Sequence, residues 1–252
     1  MSKNRIKKSR RKVKLPKRLL IVPNEDKLFH EKWHKGRDEL DIPHPYRACL
    51  MGPPNSGKGL VVSNILLRSQ DGKNPFKEVY CIHCDPEFTK EWDACGAEML
   101  AEIPPPEEWE GKVKTLVIID DLELKGLDKI QKRNLDRLFG FVSTHKNVSV
   151  ILCAQDAFNI PPIVRRCSNL WIMWRCPDLD AMSAVSRKSG MSSKNFNSIF
   201  NQLMCDTHDS LWIDMTSKSP YPLRKNGYTQ ITKKDGAKAK KILEDLDQFT
   251  EV

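Results

Sequence analysis

Apolar residues in this chain cluster in short, unbroken runs at residues 48–51, 79–83, 116–119, 148–154 and 170–174. None alternates apolar with polar positions, so each has two faces to bury. That predicts strands of a mostly parallel sheet covered on both sides. A sixth run at 211–215 precedes a loop over 216–226 that carries Lys218, Arg224 and Lys225. Between the runs the period lengthens. Leu127, Ile130, Leu135, Leu138, Phe139 and Val142 fall on one stripe, which predicts a helix over 127–142 with that face inward. Residues 60–67 read as a helix directly after the first strand, and Pro161-Pro162 opens another helix or turn after the fourth. The stretch 85–111 is acidic and contains Pro104-Pro105-Pro106, which predicts a surface excursion. Residues 233–249 predict a charged helix with Ile242, Leu243, Leu246 and Phe249 inward. Strands alternating with helices give an α/β class, a central parallel sheet with helices on both faces.

Charge divides the chain differently. The net charge is +9, yet residues 1–18 hold ten Lys or Arg and no acid, leaving about −1 for the remainder. The body is therefore not a basic nucleic-acid surface by composition. The tail is too charged to fold alone and is suited to polyanions or an import receptor. The expected organisation is a basic tail (1–18), a lead-in arm packed on the outside (19–46), a nucleotide-binding domain (47–230) and a charged C-terminal helix (231–252). No run reaches the ~18–20 apolar residues that cross a bilayer, and no secretory leader is expected. The eight cysteines are expected to be reduced thiols. Cys81-x-x-Cys84, with His83 and Cys95 nearby, superficially suggests zinc, but no second pair follows at finger-like spacing.

Two segments carry chemistry. Gly52-Pro53-Pro54-Asn55-Ser56-Gly57-Lys58 lies between the first strand and the helix that continues through Gly59 and Leu60. A glycine-bounded turn between strand and helix wraps a nucleotide's phosphates: backbone N–H groups and the helix's positive end face the anion, and Lys58 adds a full charge. The position after the lysine is normally Ser or Thr, whose hydroxyl holds magnesium. Gly59 has none, so water must fill that place or the site is weakened. The second segment is 116–121, four aliphatics ending in Asp120 and Asp121. Acids at the carboxyl end of a central strand suit a magnesium shell (Asp120) and an attacking water (Asp121), with Glu123 a weaker candidate for the latter. The fourth strand ends in Gln155, where an amide could sense a γ-phosphate, and Arg165 and Arg166 follow the Pro161-Pro162 turn. Either arginine could stabilise charge in a neighbouring subunit's nucleotide.

The order and spacing of 52–58, 116–121 and 149–155 resemble the genome-packaging ATPases of large DNA viruses, the poxvirus type included, within the FtsK–HerA superclade. The likeness spans roughly 45–225 and takes in Asn134-Leu135-Asp136-Arg137-Leu138-Phe139 and the stretch 143–150. It implies a RecA-like P-loop NTPase sheet of the additional-strand kind and a homo-oligomeric ring, pentamer or hexamer. It further implies ATP and Mg2+ as cofactors and ATP-driven movement of double-stranded DNA into a preformed capsid, with capsid or portal-vertex proteins as partners. Such a motor would work at the assembly site, in host cytoplasm or nucleus, or in the virion. Members often carry Arg before the His that precedes the fourth strand. Here that residue is Thr144, so the trans-acting role falls to Arg165 or Arg166, with Arg137 as substitute. The competing reading is a nucleotide-binding assembly or DNA-tethering protein with a degenerate loop. A nucleotide kinase would need an arginine-rich lid, which is not evident.

Overall fold

The computed structural model describes residues 42–72, 75–87, 92, 95–176, 178–187, 190–216 and 223–231. The tail, most of the lead-in arm, Lys218 and almost all of the C-terminal helix lie outside these residues. In chain order the elements are β1 (Arg47–Met51), α1 (Lys58–Gln70), β2 (Glu78–Ile82), β3 (Glu98–Leu100), β4 (Thr115–Ile119), α2 (Lys129–Arg137), β5 (Val148–Ala154), α3 (Pro162–Cys167), β6 (Leu170–Met173), α4 (Leu179–Ser186), α5 (Ser193–Leu203), β7 (Leu211–Asp214), β8 (Leu223–Lys225) and β9 (Thr229–Gln230).

The described strands form one sheet in the order β3-β2-β4-β5-β1-β6-β7-β8-β9. The pairs from β3 across to β6 are parallel, and the last three pairs are antiparallel. Both faces of β1 are buried: Ala48 and Leu50 pack with Val62, Ile65 and Leu66 of α1, while Cys49 and Met51 pack on the opposite side. That second side is covered by α2, α3, α4 and α5 through Leu135, Val164, Met182 and Phe196. Continuous aliphatic strands are thus explained by a sheet covered twice. Among the described residues no helix is long and apolar enough to cross a membrane.

Several expectations need correction. The stretch 85–111 is more than a surface excursion, because it supplies edge strand β3 and buries Trp92, Ile103 and Trp109. Asn134 Nδ2 donates to Ile103 O at 2.9 Å, which ties this stretch to α2. The predicted loop over 216–226 contains β8. On α2, Leu135 is buried, but Ile130 is 68% exposed and is not part of the inward stripe. Past Arg137 the helix widens into a π turn over Leu138–Val142, which keeps Leu138, Phe139 and Val142 inward and leaves Phe141 outside, stacked on His145. At the chain's described start, Ile42, His44 and Tyr46 are buried in the core, with the His44 ring held between Ser149 and Asn147.

Candidate functional site

The turn after β1 is shaped by residues that tolerate left-handed backbone. Asn55 has φ 61° and Gly57 has φ 98°, and together they swing the chain so that α1 begins at Lys58. A Cβ on Gly52 would sit 2.7 Å from Ser56 Oγ and 3.1 Å from the Trp174 side chain, so only glycine fits there. The Gly52 N–H donates to Ala154 O at 3.2 Å, which anchors the turn to β5. The first turn of α1 has no acidic residue and no side-chain cap, so its N–H groups remain for an anion. Lys58 Nζ donates to Gly52 O (2.8 Å) and Pro53 O (2.9 Å), folding its ammonium over the loop. Pro53, Pro54, Asn55 and Leu60 are exposed, Gly57, Lys58 and Gly59 are half-buried, and Ser56 is buried.

Strand order brings the second segment to the same edge. β5 lies between β1 and β4, with Met51 level with Ala154 and Ile119 level with Leu152. Because the three strands are parallel, the loop, the twin acids and Gln155 all leave the sheet at its carboxyl edge. The Asp120 N–H extends the pairing by donating to Ile82 O at 3.1 Å. Asp121 then turns the chain at φ 46°, a strained setting for a residue with a Cβ. A cavity of about 380 Å³ is lined by Lys58, Asp121, Glu123, Lys125, Cys153 and Gln155, among others.

Burial raises the pKa of the Asp120 carboxyl, and the Asp121 charge pushes it the same way. The Cys153 thiol, His83 and the Trp92 indole oppose the rise. Cys153 is itself pushed well above its ordinary range, by burial first and then by Asp120, with Lys58 opposing. Lys58 and Asp120 therefore act in opposite directions on one thiol. Two adjacent carboxylates, Asp120 half-buried and Asp121 exposed, beside a phosphate-type turn form a donor set that suits a hard divalent cation.

The arginines are elsewhere. Arg165 and Arg166 sit on α3 and line a separate cavity of about 400 Å³ with Phe158, Trp171 and Arg187. Burial raises the pKa of Asp136, and Arg166 offsets that rise, so this arginine faces α2. Within the chain, neither lines the cavity that holds Lys58 and Asp121. Arg137 is exposed at the end of α2. Thr144 Oγ1 accepts from Arg47 Nη1 at 2.9 Å, and Arg47 Nε donates to Cys167 O at 2.6 Å, so Arg47 ties β1 to both Thr144 and α3. Lys225 and Arg224 are not loose cations for a polyanion. Lys225 Nζ is 2.7 Å from Asp209 Oδ2 and 2.6 Å from Leu203 O. Arg224 lies over the Trp212 ring at 5.6 Å and 3.8 Å from Asp214.

Sequence reasoning missed Lys125, Cys153 and Asn159 as lining residues. Lys125 stands four positions past Asp121 in the same turn, a usable signal. Cys153 reads as one more apolar residue of β5, and nothing local marks Asn159. Cys81 is buried in β2 while Cys84 is exposed beyond it. Among the described residues no three His, Cys, Asp or Glu gather as metal ligands.

No protein-family model and no curated protein matches the chain. Solved structures do. B204, the DNA-packaging ATPase from Sulfolobus turreted icosahedral virus, aligns over 71% of this chain and 95% of its own, at 14% identity and a TM-score of 0.52. The genome packaging NTPase B204 from Sulfolobus turreted icosahedral virus 2, in complex with AMPPCP, aligns over 72% and 97%, at 15% identity and a TM-score of 0.51. The fold is that of an α/β P-loop NTPase. Its inserted strand is β5, which parts the loop-bearing β1 from the acid-bearing β4 and makes it the additional-strand type.

Proposed function

We propose that this chain is an ATP-hydrolysing motor that moves viral double-stranded DNA into a preformed capsid, working as a homo-oligomeric ring. The observation that carries the enzymatic part is the shared cavity: Lys58, Asp121 and Gln155 line it, and Asp120 precedes Asp121 at the end of β4. The packaging part draws on the resemblance of the twin acids and Gln155, and is in keeping with a fold shared with B204, described as a DNA-packaging ATPase.

In this reading the loop 52–60, through those of its N–H groups that have no backbone partner, and the Lys58 ammonium hold the β- and γ-phosphates. Asp120 helps to hold magnesium through water, since Gly59 offers no hydroxyl; bound magnesium would neutralise charge on the phosphate oxygens. Asp121 orients a water whose oxygen bonds to the γ-phosphorus as the bond to the bridging oxygen breaks, releasing ADP and phosphate. The water's proton passes towards the Asp121 carboxylate. Gln155 contacts the γ-phosphate. Arg165 or Arg166, remote from their own subunit's cavity, would reach the neighbour's nucleotide. DNA contacts should be to phosphates and indifferent to sequence.

Steady-state ATP hydrolysis tests this. Double-stranded DNA should stimulate it, and Lys58→Ala should lower it by on the order of 10²–10³-fold. Gly59 favours one second reading, a nucleotide-binding assembly or tethering protein with a weakly hydrolytic loop. Wild-type hydrolysis no faster than that of Lys58→Ala, with ATP still bound, would establish that reading.

A further inference from the structure

Beside the phosphate loop the structure holds a second cleft that the reading above leaves unused. It has a volume of about 210 Å³ and runs along α1 from Leu60 to Arg68, facing Trp212 and the β8–β9 turn. Its near end meets the loop: the His208 ring, part of its lining, lies with Nδ1 3.4 Å from Ser56 O. A Cβ on Gly57 would be 3.8 Å from the same nitrogen.

The lining sets Leu60, Val61, Ile65, Trp212 and Tyr228 among polar groups, and two of these large side chains stand in solvent. Leu60 is 68% exposed and Tyr228 is 67% exposed, against a core in which comparable side chains are covered. Arg68 lies over the Tyr228 ring at 5.5 Å and steadies it without enclosing it. The far wall is rigid. Asp209 accepts from Lys225 Nζ (2.7 Å) and Asn226 Nδ2 (2.9 Å), while Asn226 Oδ1 accepts from the Ser210 N–H at 2.7 Å. These contacts pin the segment bearing His208 to the turn bearing Tyr228. An apolar slot with aromatic walls, opening from a phosphate-binding turn, suits the planar ring attached to those phosphates.

We propose that this cleft receives the purine base of the nucleotide, between Leu60 on α1 and Tyr228 on the β8–β9 turn, with His208 at the junction to the phosphate loop. The inference rests on the phosphate-loop reading. Asn64 Nδ2 donates to Leu60 O at 2.8 Å, which leaves Oδ1 as its acceptor for an exocyclic amine. Adenine carries such an amine and guanine presents a carbonyl there, so ATP should bind more tightly than GTP, and both more tightly than UTP.

Calorimetric titration of the full chain with ATP, GTP, UTP and inorganic tripolyphosphate tests this, using wild type, Tyr228→Ala, Leu60→Ser and Lys58→Ala. Since Tyr228 and Leu60 are exposed, their variants should melt like wild type without nucleotide. Each should bind ATP about tenfold more weakly, and Tyr228→Ala should leave tripolyphosphate unchanged. Lys58→Ala should weaken both ligands, and failure of that arm alone would strike at the phosphate loop instead. The base inference is overturned if Tyr228→Ala and Leu60→Ser leave ATP affinity intact while Lys58→Ala abolishes it. It is equally overturned if the two variants shift the nucleotide-free melt and not ATP affinity, since the cleft would then be covered by the chain itself.

Discussion

On one side of β1 the sheet is parallel, and β5, β4 and β2 meet through aliphatic side chains packed on both faces. On the other, β7 and β8 run antiparallel and are fastened by an ion pair, two amide contacts and an arginine over a tryptophan. The first region holds its shape by removing apolar area from water, which any well-filled core would do. The second depends on particular partners meeting at particular distances. Chemistry follows the same division: the candidate phosphate and metal groups leave the parallel region's carboxyl edge, whereas the antiparallel region meets the phosphate loop through His208.

This contrast is sharpest under substitution. Ile118 lies in β4 with 0% exposure, and Ile118→Ala should lose about 3–4 kcal/mol in chemical denaturation with no dependence on pH. A loss under 1 kcal/mol would mean the parallel half is loosely packed. Asp209→Asn should cost about 2 kcal/mol near neutral pH, less than a fully buried pair would, because the Lys225 side chain is 32% exposed. Here pH matters. Burial alone would raise the Asp209 pKa, but hydrogen bonds from Lys225, the Asp206 backbone N–H and Asn226 outweigh it and hold the carboxyl at about 2 rather than 3.8. A folded-state pKa below the unfolded one gives stability that is complete above pH 3.8 and disappears as pH falls towards 2. Wild type and Asp209→Asn should therefore converge in melting temperature across that window. Parallel curves down to pH 2 would break the assignment.

The remaining two outcomes concern the site. Asp120 has its pKa raised, so above the ordinary carboxylate range its ionised form works against folding. Asp120→Asn should accordingly gain about 1 kcal/mol while hydrolysis is lost, read by thermal melting beside turnover. A less stable variant would show that the carboxylate serves the fold. The smallest effect is expected of Gly59→Ser, which supplies the missing hydroxyl. The magnesium concentration for half-maximal hydrolysis should fall about threefold or less.

How much was legible follows the same line. The runs at 48–51, 116–119 and 148–154 fall within a residue of β1, β4 and β5 because a doubly covered strand must be apolar throughout. The strand class, the glycine-bounded turn and the two acids at a strand's end could all be read locally. β3 and β8 could not: Glu98–Leu100 and Leu223–Lys225 are three residues each, partly polar, and become strands only by pairing with β2 and β7. Ile130 misleads because its spacing fits the stripe while its direction is outward. The partners of Lys225 and Arg224 were not legible because a positive charge in the sequence says nothing of a distant carboxylate. His208 and Tyr228 gain their meaning only when the turn that bears them closes on α1.

The sheet also tapers. Its centre holds a seven-residue strand, β5, while its described margins are three residues at β3 and two at β9. Margins that short offer little open ladder for another polypeptide to extend. Copies of this chain that gather side by side would therefore have to meet through helices and loops, leaving each sheet closed to its neighbour.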